Sequence, residues 1–422
     1  MVTRIWPSGM NKAADKPAWA FAPRFRRGAF GWRSDPAITR IKEAIAEIKA
    51  ANRKDALLAA EGAVLFLQKL SPALENIDSS SGAIGSAVNG AIDALVPIIA
   101  KAPAEVPTRR KWLEQLYRAH ADDRIPYIET LGDHWGELCA SPDLAAEWAD
   151  RLVETVDAVW SRSRAEHGFF HGTTMCLSAL LAAGRYDKLL ALLDKNPYPF
   201  WSYRQWGVKA LVAMGRKTEA LRYAEASRGL NEPLGQIAKA CEAILLSSGL
   251  ADEAYQRYAI EANQAGTYLA TFRAICRKYP HRKPEAILAD LVASAPGDEG
   301  KWFAAAKDAK LFDLALKLAQ NSPVDHRTLM RAAKEFAATQ PLFAMNCGLL
   351  ALYWICAGRA YDVTNAEILT AYDLTLHAAD VAQCRDAALK HLRHMLEGFP
   401  LDGVVKAVLA RAVELWNVDP AV

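Results

Sequence analysis

Several clusters of side chains along this chain have the types that do chemistry, and spacing decides what each could do. Glu166-His167-Gly168-Phe169-Phe170-His171 sets two histidines at i and i+4, a separation that can hold a metal on one helical face, with Cys176 five residues further on. Gly168 and Gly172 speak against a regular helix there, and no carboxylate motif supplies a third ligand. His391 and His394, followed by Glu397, share that weakness. Structural or solvent-exposed histidines are therefore expected, and no metal is assigned. Asp122, Asp123 and Asp133 stand beside His120 and His134 and could be drawn as acid–base pairs, but helix caps use the same residues. The loop from Asp78 through Ser79, Ser80, Ser81 and Gly82 to Gly85 could cradle an anion at a helix N-terminus. It lacks the lysine and the preceding strand of a phosphate-binding loop, so a helix-capping turn is the expectation. No Gly-x-Ser-x-Gly, no His-Glu-x-x-His and no Cys/His dyad at a recognisable spacing occurs. The residues point to a protein that is not an enzyme and carries no cofactor.

Two other clusters suit binding. Residues 1–34 form an arm with seven basic residues and one acid, whereas the rest of the chain is slightly acidic, because the whole carries only +3. Six aromatics (Trp6, Trp19, Phe21, Phe25, Phe30 and Trp32) interleave with the cations, most densely at Arg24-Phe25-Arg26-Arg27 and Trp32-Arg33. Cations neutralise phosphates and aromatics stack on bases, so Arg24, Arg26, Arg27, Trp32 and Arg33 are the candidate nucleic-acid contacts. The plainer alternative docks the arm's aromatics on its own body and leaves the arginines in water; contact with a protein is a third. The segment Tyr198-Pro199-Phe200-Trp201-Ser202-Tyr203-Arg204-Gln205-Trp206 is the richest aromatic stretch. Trp, Tyr and Arg dominate interfaces, so Trp201, Tyr203, Arg204 and Trp206 are candidates for a protein partner, with a place in the core of a helix pair as the alternative.

The elements that must position these residues read as helices throughout, since almost no stretch alternates with the period of a half-buried strand. Asp35 and Pro36 suit a helix start, with Ile38, Ile41, Ala44, Ile45 and Ile48 at helical spacing behind them. Further helices are predicted at 55–70, ending near Ser71-Pro72, then through Ile84 to Ile99, and at 107–120, 126–140 and 143–164. From about 168 a pattern repeats: apolar helix, turn residue, apolar helix. Its turn positions are Gly184, Gly215, Gly249, His281 and Lys310, about one helical hairpin apart. Glycine at the turn supplies a left-handed conformation, and Ala220, Ala254 and Ala315, five residues on, let helices pack closely. Gly358 opens a last unit, with helices at 364–380, 381–397 and 401–416.

Hydrophobic residues at 52% and charged residues at 23% allow a continuous core in a soluble chain. Seven scattered cysteines, none in a Cys-x-x-Cys or Cys-x-Cys arrangement, favour a reducing compartment. The N-terminus has no apolar core of signal-peptide length. The charge-free run Phe336–Gly358 is cut by Pro341 and carries Thr339, Gln340 and Asn346, which reads as a helix buried on all sides rather than a membrane span. A cytoplasmic protein without membrane contact is expected.

Gly-Arg-Tyr-Asp-Lys-Leu-Leu at 184–190 and Gly-Arg-Lys-Thr-Glu-Ala-Leu at 215–221 resemble the turn and second-helix opening of tetratricopeptide-type repeats over roughly residues 168–325. The run from Asp78 to Ala87, with the helices to 165 and the repeats after them, is similar to a helical-repeat region of uncharacterised bacterial proteins. That region sometimes follows a SWIM-type zinc finger, whose cysteine and histidine pattern is missing here, so no zinc role carries over. The resemblance implies an all-α fold: an α-solenoid of tetratricopeptide-like hairpins (166–345), with the arm (1–34), an N-terminal helical region (35–165) and a C-terminal helical cap (346–422). It implies a scaffold, from a bacterial source, whose inner surface grips a protein partner. A nucleic-acid-binding helical array anchored by the basic arm is the second expectation, and an enzyme sited near His167 and His171 the third.

Overall fold

The computed structural model describes residues 19–161, 168–196, 200–399 and 407–410. All regular structure among them is helical, and consecutive helices pack on one another in neighbouring pairs, as an all-α solenoid-like fold requires. The chain divides into two compact units, residues 1–233 and 234–422.

The first unit holds α1 (Ser34–Asn52), α2 (Ala56–Leu74), α3 (Ala83–Lys101), α4 (Val106–Ala121), a 3-10 turn (Glu129–His134), α5 (Trp135–Cys139), α6 (Pro142–Trp160), α7 (Thr173–Ala182), α8 (Tyr186–Asp194), α9 (Trp201–Ala213) and α10 (Lys217–Glu225). Ala37, Ile41, Ala44 and Ile48 recur every three or four residues, and that stripe buries α1 against α2 and α3. Asp35 does not cap α1: the helix already begins at Ser34, which leaves Asp35 in the first turn, where its charge still suits the helix dipole. Asp55 does cap α2, accepting the Leu58 amide at 3.0 Å. That helix runs past the expected stop to Leu74, with Pro72 inside it. The Pro72 carbonyl, in the last turn of the helix and without an intrahelical partner, accepts the Gly28 amide at 2.9 Å. α2 and α3 are 19 residues each and apolar enough to cross a membrane, yet both are packed in the core of this unit.

The helix expected over 126–140 breaks into the 3-10 turn and the short α5. Gly136 lies so close to α7 that a Cβ there would stand 2.5 Å from the Ser178 carbonyl oxygen, and Gly132 is pressed equally against Thr174. The Ser178 hydroxyl ties the contact at both ends, accepting from the Gly136 amide and donating to the Asp133 carbonyl, each at 3.0 Å.

The second unit holds α11 (Leu234–Leu246), α12 (Ala251–Ala262), α13 (Tyr268–Lys278), α14 (Pro284–Ala293), a 3-10 turn (Glu299–Trp302), α15 (Phe303–Asp308), α16 (Phe312–Asn321), α17 (His326–Phe336), α18 (Pro341–Cys356), α19 (Asn365–Val381) and α20 (Arg385–Gly398). Within α18, buried residues fall on nearly every side, with Leu342 and Tyr353 exposed. Of the helix expected at 401–416, only the helical residues 407–410 are described.

One turn geometry closes the hairpins of both units. Gly184, Gly215 and Gly249 take φ of +70°, +76° and +75°. After each, the next amide reaches back to the carbonyl five residues before it: Arg185 to Leu180 at 3.0 Å, Arg216 to Leu211 at 2.8 Å, Leu250 to Leu245 at 3.0 Å. Lys310 (φ +60°) and Gly358 (φ +66°) repeat it, and so does Gln383 (φ +55°), which no residue signal marked. The turn at His281 is of another kind, closed by the Arg282 amide on the Tyr279 carbonyl at 3.0 Å. Ala220, Ala254 and Ala315 are fully buried, as close helix packing demands.

Candidate binding faces

The described part of the arm, residues 19–33, folds into turns and lies on α1 and α2. Glu47 accepts the Ala20 amide at 2.8 Å and the Phe21 amide at 3.2 Å. Phe21 and Phe25 are buried, their rings meeting Phe66 edge-on at 5.4 and 4.9 Å. Trp19 packs over Gly62, where any side chain would collide with its ring. Arg24 pairs with Glu43 at 2.9 Å and Arg27 with Glu75 at 3.1 Å. Arg26 and Arg33 are exposed, and Trp32 is 72% exposed. Among the described residues of the arm, every aromatic but Trp32 and two of the four cations therefore serve its own docking. Arg4, Trp6, Lys12 and Lys16 lie outside the described residues.

The aromatic stretch on α9 is largely packed against its neighbours. Trp201 and Trp206 retain 4% and 2% of their surface, so neither offers a face that a partner could cover. Tyr203 is half-buried, edge-on to Trp160 at 5.5 Å. Arg204 donates to Ser227 Oγ at 2.6 Å and the Tyr223 carbonyl at 3.2 Å, with its guanidinium 3.9 Å from the Tyr223 ring centre. Trp201 and Trp206 are thus covered by the protein's own packing, whereas Tyr203 and Arg204 remain half-buried, with Arg204 bonded to α10 and the residues after it. Tyr198 and Pro199 lie outside the described residues.

The titratable residues of the first unit fall apart into separate roles. His171 is exposed, 6.2 Å ring to ring from the buried His120; His167 lies outside the described residues. Burial pushes the Cys176 thiol up to about 12, which keeps it neutral and a poor ligand. Among the described residues no three His, Cys, Asp or Glu side chains gather in a way that could hold a metal. Asp123 accepts from the Ser71 hydroxyl and from the Ile128 amide (2.8 Å), and so pins the loop after α4 to α2. Burial raises its pKa, as it lowers that of His120, whose Nε2 lies 3.3 Å from the Glu129 carbonyl. His134 stands 3.5 Å from Asp93 and 3.6 Å from Glu137, not against the aspartates with which sequence spacing would pair it. Asp78 accepts the Ser80 amide at 2.9 Å within the loop, and Gly82 sits at φ +70° before α3 with no side-chain cap of its own.

In the second unit the first helices of successive hairpins form one layer, each tied to the next by an ion pair. Lys278 of α13 meets Glu242 of α11 at 2.7 Å, Arg273 of α13 meets Asp308 of α15 at 2.5 Å, Lys307 of α15 meets Glu335 of α17 at 2.6 Å, and Arg327 of α17 meets Glu367 of α19 at 2.6 Å. The Arg327 guanidinium and the Thr364 amide together hold the Glu367 carboxyl down at about 2. Glu242 is the buried member, 1% exposed, and also accepts from Tyr279 Oη at 2.6 Å and Asn263 Nδ2 at 2.7 Å. Charge segregates between the layers. The first helices α11, α13, α15, α17 and α19 carry eight basic and six acidic residues, three of the acids on α19; the second helices α12, α14, α16, α18 and α20 carry five basic and eight acidic. The four bridges consume every carboxylate of α11, α13, α15 and α17. Lys239, Arg277, Arg331 and Lys334 remain exposed and without an ion-pair partner among the described residues. Reading motifs missed these four. Sorting charges by first and second helix of each hairpin would have found them.

On the acidic side, a cleft of about 560 Å³ between α12 and α14 is lined by Tyr255, Ile260, Gln264, Arg282 and Asp290 among others. The Tyr255 hydroxyl donates to Asp290 at 2.7 Å and the Arg282 guanidinium covers the ring at 3.8 Å, with Arg282 Nη2 on Asp252 at 2.9 Å. No family model matches the chain, and no curated protein matches it.

Proposed function

We propose that this protein is a non-catalytic scaffold that holds a protein partner on the exposed face of the first-helix layer of its second unit. The observation that carries the proposal is the bridged layer itself. Four ion pairs in sequence run across the layer from α11 to α19, and beside them Lys239, Arg277, Arg331 and Lys334 stay exposed without a carboxylate partner among the described residues. A preordered surface loses little freedom on binding, which favours recognition over chemistry. The recurrent left-handed turn and the buried alanines after it support reading the hairpins as tetratricopeptide-like. The reading places the protein in a bacterial cytoplasm.

A photo-crosslinking residue tests it when placed at Ala243 or Ala274 on the first-helix layer, with Glu285 on the second as control. Stoichiometric crosslinks to one protein from the first two positions only are expected. Equal crosslinking from all three positions, or none from any, refutes the proposal.

A second reading rests on the arm. Arg26, Trp32 and Arg33 stay exposed after docking and could contact nucleic acid together. Deleting residues 1–33 and measuring DNA and RNA binding at two salt concentrations checks it; unchanged affinity removes it.

A further inference from the structure

We infer that the partner is an acidic polypeptide segment, gripped by Lys239, Arg277, Arg331 and Lys334. This rests on the scaffold reading above and adds the chemistry of the occupant. Each of the four cations lies one helical turn from a bridge residue or from another of the four, which puts them on the face the bridges define. Lys239 precedes Glu242 by three residues, Arg277 follows Arg273 by four, Arg331 follows Arg327 by four, and Lys334 follows Arg331 by three. They are therefore spread over three helices of one layer, α11, α13 and α17, rather than gathered at one point. Arg331 is steadied by a hydrogen bond to Thr328 Oγ1 at 2.8 Å; Lys239, Arg277 and Lys334 are held by no bond of their own.

The opposite layer shows that this is not a general basic surface. Its excess is acidic, so an acidic segment is drawn to one side of the unit and repelled from the other. A nucleic-acid strand would need more. Its phosphates follow one another without gaps, and the face is interrupted by the bridging carboxylates of Asp308 and Glu335, whose side chains are 31% and 55% exposed. A polypeptide can place its carboxylates over the four cations and a neutral residue over the acids between them. Exposed aromatics for base stacking are also sparse: on α11, α13 and α17 only Tyr268, at 39%, is a large exposed ring among the described residues.

The test uses the full chain and three labelled probes: poly-L-glutamate, a single-stranded oligonucleotide of equal charge, and a neutral glycine–serine peptide. Poly-L-glutamate is expected to bind best, and to weaken about tenfold between low and roughly physiological salt. The variant carrying Lys239→Glu, Arg277→Glu, Arg331→Glu and Lys334→Glu should lose at least about thirtyfold in affinity, while Glu285→Lys with Asp313→Lys on the other layer should not weaken binding. None of the six residues takes part in a bridge, and circular dichroism confirms that the variants fold. Tighter binding of the oligonucleotide, lost in the same variant, overturns the inference in favour of nucleic acid. No binding of either polyanion, or binding unchanged in the fourfold variant, overturns it outright. If the crosslinked partner is kept by the fourfold variant, the acidic occupant is wrong and the scaffold survives. If poly-L-glutamate binds as expected but no partner crosslinks, the scaffold reading is the one that fails.

Discussion

Replacing Glu242 by alanine should open the joint between α11 and α13 and leave the first unit intact. The carboxylate is 1% exposed and receives Lys278 Nζ at 2.7 Å, Tyr279 Oη at 2.6 Å and Asn263 Nδ2 at 2.7 Å. Without it the Tyr279 hydroxyl is left fully buried with no partner, a loss of about 1–3 kcal/mol. Asn263 keeps a second bond to the Ala259 carbonyl at 2.7 Å, and Lys278, 37% exposed, can turn to water, so these two lose less. With the cavity left by the side chain, the total falls at about 3–5 kcal/mol, the range for breaking a buried ionic contact from one side. Glu242→Gln keeps the volume and one acceptor but sets an amide donor against donors, for about 2 kcal/mol. Tyr279→Phe removes one bond of three, for about 1 kcal/mol. Because two units need not unfold in one transition, the assay is hydrogen exchange resolved by segment. Amides of α11 and α13 in Glu242→Ala should exchange faster by about two to three and a half orders of magnitude, with α1–α6 unchanged. A loss below about 1 kcal/mol, or an acceleration shared equally by both units, would refute the joint.

Three further perturbations have worked signs. Lys310→Gly should stabilise by about 1 kcal/mol, because φ +60° strains a residue with a Cβ, while Gly215→Ala at φ +76° should cost a similar amount; urea unfolding measures both. No atom lies within 4 Å of a Cβ added at Gly215, so that loss reports backbone conformation alone. Phe66→Ala removes the ring on which Phe21 and Phe25 rest and should cost about 3–5 kcal/mol in the first unit, with trypsin cutting at Arg24, Arg26 and Arg27 much sooner than in the parent. Burial raises the Asp123 pKa in the folded state, so the native protein binds that proton more tightly than the unfolded chain, and stability falls as pH rises from the ordinary aspartate value through the raised one. Asp123→Asn should flatten this slope in unfolding curves taken across that window; a slope identical to the parent's would show that Asp123 does not cause it.

How much of this was legible before the structure depended on whether the cause was local. Gly184, Gly215 and Gly249 announced their turns because a left-handed residue selects glycine, and Lys310 was reached by counting one hairpin on from its neighbours. Gln383 adopts the same conformation with no residue signal, so the break expected near 380–381 was placed by helical pattern alone and its turn residue was seen only in the structure. The break at Gly132 and Gly136 is set by α7, some forty residues away, and the local pattern continues a helix straight through it. Pro72 also misled: it falls in the last turn of α2, two residues before the end at Leu74, and its carbonyl is taken by the Gly28 amide of the arm. At the candidate sites the error ran the other way. Trp201 and Trp206 have the composition of an interface, but composition does not say which neighbour covers a ring, and here α8 and α10 flank the helix.

The bridges of the second unit look at first like stabilising devices, and their exposure argues against that. Arg273–Asp308, Lys307–Glu335 and Arg327–Glu367 each keep one member about half exposed, where an ion pair contributes roughly 0–1 kcal/mol and is weakened further by salt. What holds the helices is the apolar packing beneath, of which Leu329, Ala332 and Ala333 along α17 are a part. The consequence of the relay is electrostatic instead. By neutralising Glu242, Asp308 and Glu335 one for one, it leaves four separate positive charges on α11, α13 and α17, a pattern that a partner can read and that a uniformly basic helix would not present.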